Sequence, residues 1–241
     1  MKFKTMLFFF CALTFFNSQA VFCEEPSPTP LPEKESTSPP TSLATEDIPP
    51  SLDTIVDRIE KRYAGPGFTA RFDQKSTLKA MDITDTAIGK VFVKRPRLMR
   101  WEYESPEKQI IITDGNELWL YRPEDNQVMK GKAPEYFGDG KGASFLTDIR
   151  LVRKNFNVTL EKDDDEHHIL KLFPKKKKYD IDYVLLFISR NTFDIAKIVT
   201  YNSYGDENAI EMKDFQFDQN LDASLFNFLI PEGTDILRIG E

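Results

Sequence analysis

Gln109-Ile110-Ile111-Ile112-Thr113-Asp114-Gly115-Asn116-Glu117-Leu118-Trp119-Leu120-Tyr121-Arg122-Pro123 holds two apolar runs with Asp114-Gly115 between them. An Asp-Gly pair supplies the left-handed backbone of a tight turn, so the stretch reads as an antiparallel hairpin of strands 109–113 and 117–121. Outward from it, strands are expected at 87–95, 98–103 and 127–130, punctuated by Arg95-Pro96, Ser105-Pro106 and Arg122-Pro123. Further upstream Phe68, Ala70 and Phe72 alternate with Thr69, Arg71 and Asp73, the period-two pattern of a half-buried strand.

Downstream, five more strands are expected near 156–161, 167–173, 183–188, 194–201 and 208–218. In the last, apolar parity slips between Met212 and Phe215, which predicts a bulge. Two helical pieces interrupt this rhythm. Ser51 is a capping residue for a helix with Leu52, Ile55, Val56 and Ile59 on one stripe, stopped by Gly65-Pro66-Gly67. Within 131–155, Phe145, Leu146, Ile149 and Val152 are spaced as one helix face. A mainly β (α+β) fold of about eleven antiparallel strands must curl, split or close to protect its edges. With two helical pieces to cover one face, it reads as a barrel or half-barrel with a helical lid. An outer-membrane barrel is disfavoured, because lipid-facing strands need about 9–11 residues of uninterrupted apolar alternation and these are short and charge-laden.

The start of the chain reads as an address. Lys2 and Lys4 precede an apolar run ending near Phe16, and Ser18-Gln19-Ala20 follows, so 1–20 is expected to be a cleaved signal peptide. Residues 21–50 hold eight of the fifteen Pro and are rich in Ser and Thr, the composition of a disordered tether. The folded domain is then 51–241. Cys23 follows the leader, but Phe22 stands where a lipid-attachment signal carries a small residue. The formal charge of -7 argues against nucleic acid as a partner. Two Cys and the adjacent His167-His168 leave little for a disulfide or a metal site, so no metal and no cofactor are expected. No nucleophile elbow or His-centred triad supports an enzyme. Asp163-Asp164-Asp165-Glu166-His167-His168 lies between two strands and reads as a solvated hairpin tip, and Lys175-Lys176-Lys177-Lys178 as a loop.

Lys94-Arg95-Pro96-Arg97-Leu98-Met99-Arg100-Trp101-Glu102-Tyr103 closely resembles the signature of the periplasmic outer-membrane lipoprotein carrier family, LolA. Thr113-Asp114-Gly115-Asn116-Glu117-Leu118-Trp119-Leu120-Tyr121-Arg122-Pro123 resembles the same family's Asp-Gly-x-x-Leu-Trp-x-Tyr segment. Phe72-Asp73-Gln74 looks like its Phe-x-Gln, and Phe226-Asn227-Phe228-Leu229-Ile230-Pro231-Glu232-Gly233 its closing Phe-x-Phe-x-x-Pro-x-Gly. The resemblance spans roughly 52–237 in the family's order.

That resemblance implies an unclosed eleven-stranded antiparallel barrel, lidded by helices around a hydrophobic cavity. It implies a monomeric carrier in the periplasm of a Gram-negative bacterium. Its partners would be triacylated lipoproteins, the inner-membrane lipoprotein-releasing ABC transporter and an outer-membrane acceptor. Arg95 matches the family arginine that latches the closed lid. Phe72, Trp101, Tyr103, Trp119 and Tyr121, with Leu52, Ile55, Ile59, Phe145, Leu146 and Ile149 under the lid, are the expected acyl-chain cavity. Met99 stands near the expected mouth, and with Lys175 and Lys176 forms a candidate docking set for partners. The competing reading is a lipid-anchored acceptor of the same fold, LolB-like, held through Cys23.

Overall fold

The computed structural model describes residues 50–134, 143–176 and 181–240. The expected signal peptide, nearly all of the tether, Cys23, Lys177 and Lys178 lie outside them. Helix α1 spans Leu52–Arg62; the Ser51 hydroxyl accepts from the Thr54 amide at 3.3 Å, while Lys61 and Arg62 complement the dipole of its last turn. Its apolar stripe is buried at Ile55, Val56 and Ile59. Tyr63 is the C-cap, and its amide returns to the Ile59 carbonyl at 3.0 Å.

The strands are β1 (Gly67–Leu78), β2 (Ile83–Lys94), β3 (Leu98–Ser105), β4 (Gln109–Thr113), β5 (Glu117–Arg122) and β6 (Gln127–Lys132). After them come β7 (Phe156–Leu160), β8 (His167–Pro174), β9 (Tyr183–Ser189), β10 (Ile195–Tyr201), β11 (Glu207–Phe217) and β12 (Asp235–Arg238). They form one sheet in the order β12-β6-β5-β4-β3-β2-β1-β11-β10-β9-β8-β7. Two meanders meet where β1 pairs β11 antiparallel, and the sheet is not closed: β12 and β7 are its edges.

The eleven expected strands are present and a twelfth joins them. β12 pairs parallel with β6, and all four of its residues are exposed, so no alternation in the sequence marks it. β1 and β2 also run longer than expected, to twelve residues each, because polar residues on both faces continue the pairing to Leu78↔Ile83. The bulge in β11 lies where parity slipped. Thr69 pairs Gln216 but Arg71 pairs Lys213, and Asp214 takes the extra position with φ 56°. Residues 144–155 form a 3₁₀ turn, Ser144–Leu146, and a short helix α2, Leu151–Asn155, rather than one helix. Phe145, Leu146, Ile149 and Val152 are nonetheless all buried.

The opening hairpin is built as its Asp-Gly pair requires. The Asp114 carboxylate accepts from the amides of Asn116 at 2.8 Å and Glu117 at 2.7 Å, and Gly115 sits at φ 90°. A Cβ on Gly115 would stand 2.8 Å from the Arg97 Cβ. Gly115→Ala is therefore expected to destabilise the domain by about 1–2 kcal/mol, a fall in Tm of about 2–8 °C. An unchanged thermal melt would show that the turn does not need its glycine.

Candidate functional site

Register decides which side chains share a face. Phe68 pairs Val93, which pairs Met99, which pairs Thr113, which pairs Leu118. One step along lie Ala70, Val91, Trp101, Ile111 and Leu120; a further step brings Phe72, Gly89, Tyr103 and Gln109. All of these non-glycine side chains are buried. Across β11 the same face continues through Met212 and Ile210, then Ile198, Leu186 and Leu170. Arg71, Lys90 and Glu102, between them, lie on the other face and are at least partly accessible, whereas Ile112 on that face is buried.

Gly89 gives this inner face its shape. A Cβ there would meet the Phe72 ring at 2.8 Å and the Glu102 carbonyl oxygen at 2.1 Å. The missing side chain lets the Phe72 ring lie over the backbone, edge-on to Trp101 at 4.9 Å and to Tyr103 at 5.0 Å. Beyond the rings the face turns polar. The Tyr103 hydroxyl donates to the Gln74 side-chain oxygen at 2.9 Å, and the Gln74 amide donates to Asn208 at 2.7 Å. Gln74 belongs to the quoted Phe-x-Gln, and the network accounts for that glutamine. It was not among the expected site residues, although Phe72 two positions earlier fixes its parity.

Two segments supply buried apolar side chains beyond the sheet, α1 and residues 144–155. Ile55, Ile59, Phe145, Leu146 and Ile149 are each at most 2% exposed, and Leu52 is half-buried at the start of α1. Arg95, at the end of the β2–β3 hairpin, donates from its guanidinium to the Tyr63 carbonyl at the end of α1. Its own amide donates to the Pro66 carbonyl at 2.9 Å. Burial lowers the Arg95 pKa from its ordinary value, and Asp148 opposes that shift from the second segment. Asp148 is itself held low chiefly by Arg150, which donates to both of its oxygens at 2.8 and 2.9 Å. Arg95 thus binds the end of one covering segment and lies within electrostatic reach of the other.

Tyr63 is the residue that the sequence did not point to. It is 3% exposed, its ring packs edge-on to Phe68 at 5.3 Å and Phe217 at 5.2 Å, and its hydroxyl accepts from the Ile195 amide at 3.0 Å. Arg62 adds an ion pair with Asp194 at 2.6 Å. Phe217, Ile195 and Asp194 are more than a hundred residues away in the chain, which is why no local pattern marks these contacts.

Four expectations are corrected. Trp119 and Tyr121 do not join the inner face; Leu118 and Leu120 take those positions, and the two aromatics lie on the outer face against Phe228, at 6.5 and 5.4 Å. β5 is apolar at four successive positions, so alternation could not decide its parity. Met99 is 1% exposed on the inner face beside Val93 and Thr113, and offers no docking surface. The Lys175 ammonium is engaged, donating to the Arg153 carbonyl at 2.7 Å, while Lys176 is exposed. The acidic-His stretch is a turn, but not wholly a solvated one. His168 is 3% exposed and meets Asp163 at 2.6 Å, and Asp163 also accepts from Arg190 at 3.0 Å.

Burial pushes the phenols of Tyr63 and Tyr103 well above their ordinary pKa. A pKa raised on folding favours the protonated fold, so this contribution is complete below about pH 10 and is lost as pH rises beyond it. The loss is about 1.4 kcal/mol per pH unit for each phenol. Denaturant unfolding of wild type between about pH 9 and 11.5 is expected to fall more steeply than that of Tyr63→Phe/Tyr103→Phe; parallel profiles would contradict it.

Residues 66–229 match the model of the family described as outer membrane lipoprotein carrier protein LolA. The chain is 29% identical over 171 residues to an outer-membrane lipoprotein carrier protein of Neisseria meningitidis serogroup C, covering 71% of this chain and 80% of that one. It is 25% identical over 198 residues to one of Pseudomonas paraeruginosa, covering 82% and 92%. Among solved structures it is similar to a LolA superfamily protein of Nitrosomonas europaea, at a TM-score of 0.45 and 15% identity, covering 75% of this chain and 99% of that one.

Proposed function

Because this chain belongs to the LolA family of outer membrane lipoprotein carrier proteins, we propose that it is a periplasmic carrier. It binds the acyl chains of lipoproteins released from the inner membrane and delivers them to the outer membrane. The observation that carries this reading is a continuous apolar and aromatic inner face accompanied by two short helical segments, with Arg95 on the end of α1. The carrier works by binding and release, not by catalysis.

The physical need is large. An acyl chain has about 15 methylenes, each worth about 0.8 kcal/mol when removed from water, so exposing one chain costs about 12 kcal/mol. An inner face of Phe72, Trp101, Ile111 and Leu120 offers that chain apolar contact. Cargo must displace Ile55, Ile59 and their neighbours from the same surface. Part of its binding energy is therefore spent opening the cover, which keeps net affinity moderate and lets the cargo leave without a nucleotide. Arg95 is the latch: closing restores its hydrogen bond to the Tyr63 carbonyl, so closure favours release. In this reading 1–20 is the exported leader, 21–50 a tether and 51–241 the carrier domain. The ABC transporter loads it and an outer-membrane acceptor unloads it.

The test is binding of a fluorescent triacylated lipopeptide to purified residues 24–241. Saturable binding is expected, weakened about tenfold in Trp101→Ala and less than about twofold in Trp119→Ala, because only the first lies on the inner face. Arg95→Leu is expected to load normally and to transfer cargo to acceptor membranes about tenfold more slowly. Absence of binding would remove the cargo reading, and equal loss in the two tryptophan variants would remove the inner face as its site. Normal delivery by Arg95→Leu would remove the latch.

A further inference from the structure

Arg153 lies in α2, outside the inner face, and its guanidinium reaches the side of α1. It lies 2.7 Å from the Asp57 carboxylate, 3.7 Å from Glu60 and 3.6 Å from Asp53, and it donates to the Asp53 backbone carbonyl at 3.1 Å. Those three carboxylates are spaced four and three residues apart, one stripe of a helix. The stripe flanks the buried face formed by Ile55, Val56 and Ile59. A single side chain therefore spans the N-terminal two thirds of α1. Its base is fixed in turn, because Lys175 at the end of β8 donates its ammonium to the Arg153 carbonyl at 2.7 Å and its amide to the Asn155 carbonyl at 2.9 Å.

We propose that Arg153 is a second clasp of the lid, a positioning residue that fastens the N-terminal part of α1 to α2 and makes lid opening depend on salt. The name lid rests on the carrier reading above. Arg95 and Arg153 divide the work by position and by surroundings. Arg95 is half-buried and holds the C-cap residue of the helix, Tyr63, whose side chain packs among Phe68, Phe217 and the Ile195 amide. Arg153, Asp57 and Asp53 have side chains 40%, 66% and 91% exposed, and Glu60 is less so at 26%. Charge pairs open to water are screened by mobile ions, whereas buried ones are screened much less.

Hydrogen exchange of the mature chain without cargo tests this. At low salt, Arg153→Gln is expected to exchange the amides of 55–61 about fivefold faster than wild type, with β1 and β2 unchanged. Raising salt to about 0.5 M is expected to bring wild type to the variant's rate and to leave the variant as it was. Reversing the pair, Arg153→Asp with Asp57→Arg, is expected to restore protection, which loss of packing alone would not allow. In the loaded protein, where closure favours release, Arg153→Gln is expected to release lipopeptide about fivefold more slowly at low salt, without the salt dependence of wild type. Wild-type exchange in α1 of Arg153→Gln, acceleration shared by β1 and β2, or an equal salt response in both proteins would each overturn the clasp. The exchange measurement contains no cargo. A failure of lipopeptide binding would thus remove the carrier reading and leave this result standing, and unchanged exchange would do the reverse.

Discussion

Water must be kept from one face of a twelve-stranded sheet, and the described residues provide two short helical segments to help do it. A flat sheet would need a layer of helices along its length. Here α1 and residues 144–155 are small, so the sheet has to bend over its own face. Gly89, which leaves room for the Phe72 ring against the backbone, and the bulge at Asp214 are two places where the strands depart from regular pleating to allow it. The burial of Trp101 and Tyr103 follows from that curvature, and the edges β7 and β12 remain where it stops short of closing.

Covering by so little helix has an energetic consequence. α1 buries three aliphatic side chains, Ile55, Val56 and Ile59, each worth about 1.5–3 kcal/mol when fully removed from water. That is enough to seat the helix, and small enough that a flexible hydrocarbon offering similar contact can compete. The polar fastenings at its C-terminal end add to that seating. Arg95 on the Tyr63 carbonyl and Arg62 on Asp194 are such fastenings.

What the sequence made legible was whatever is encoded within a few residues. The Asp114-Gly115 turn, the alternation in β1, the capped apolar stripe of α1 and the parity slip in β11 each carry a local cause and each stands in the structure. What was not legible depended on partners far along the chain. β5 presents Leu118, Trp119, Leu120 and Tyr121 in a row, and both of its faces are covered, the inner by the fold and the outer by Phe228. A strand with apolar side chains on both faces has no alternation in its sequence to read. β12 fails for the opposite reason, since nothing buries it and only pairing to β6 defines it. Of the candidate site, Arg95 was visible through a motif, but Tyr63, its partner, sits past the end of a helix and is explained by contacts with Phe217 and Ile195.

The outer position of Trp119 and Tyr121 bears on how the fold tolerates an interior that changes. The C-terminal segment leaves β11, crosses the outer face and rejoins the sheet at β12, and on the way it is tied down at several points. Lys94 donates to the Leu221 carbonyl at 2.5 Å, Arg100 donates to the Leu225 carbonyl at 3.1 Å, and Phe228 seats on the two aromatics. β3, β4 and β5 are thereby packed from outside by groups that do not take part in the inner face. If cargo replaces α1 and its neighbours as the inner layer, these strands keep their register through contacts that the exchange does not touch. Aromatic side chains on both faces of one strand then answer different demands. Inward residues such as Trp101 present apolar surface to the inner face, and outward ones such as Trp119 anchor the wall behind it.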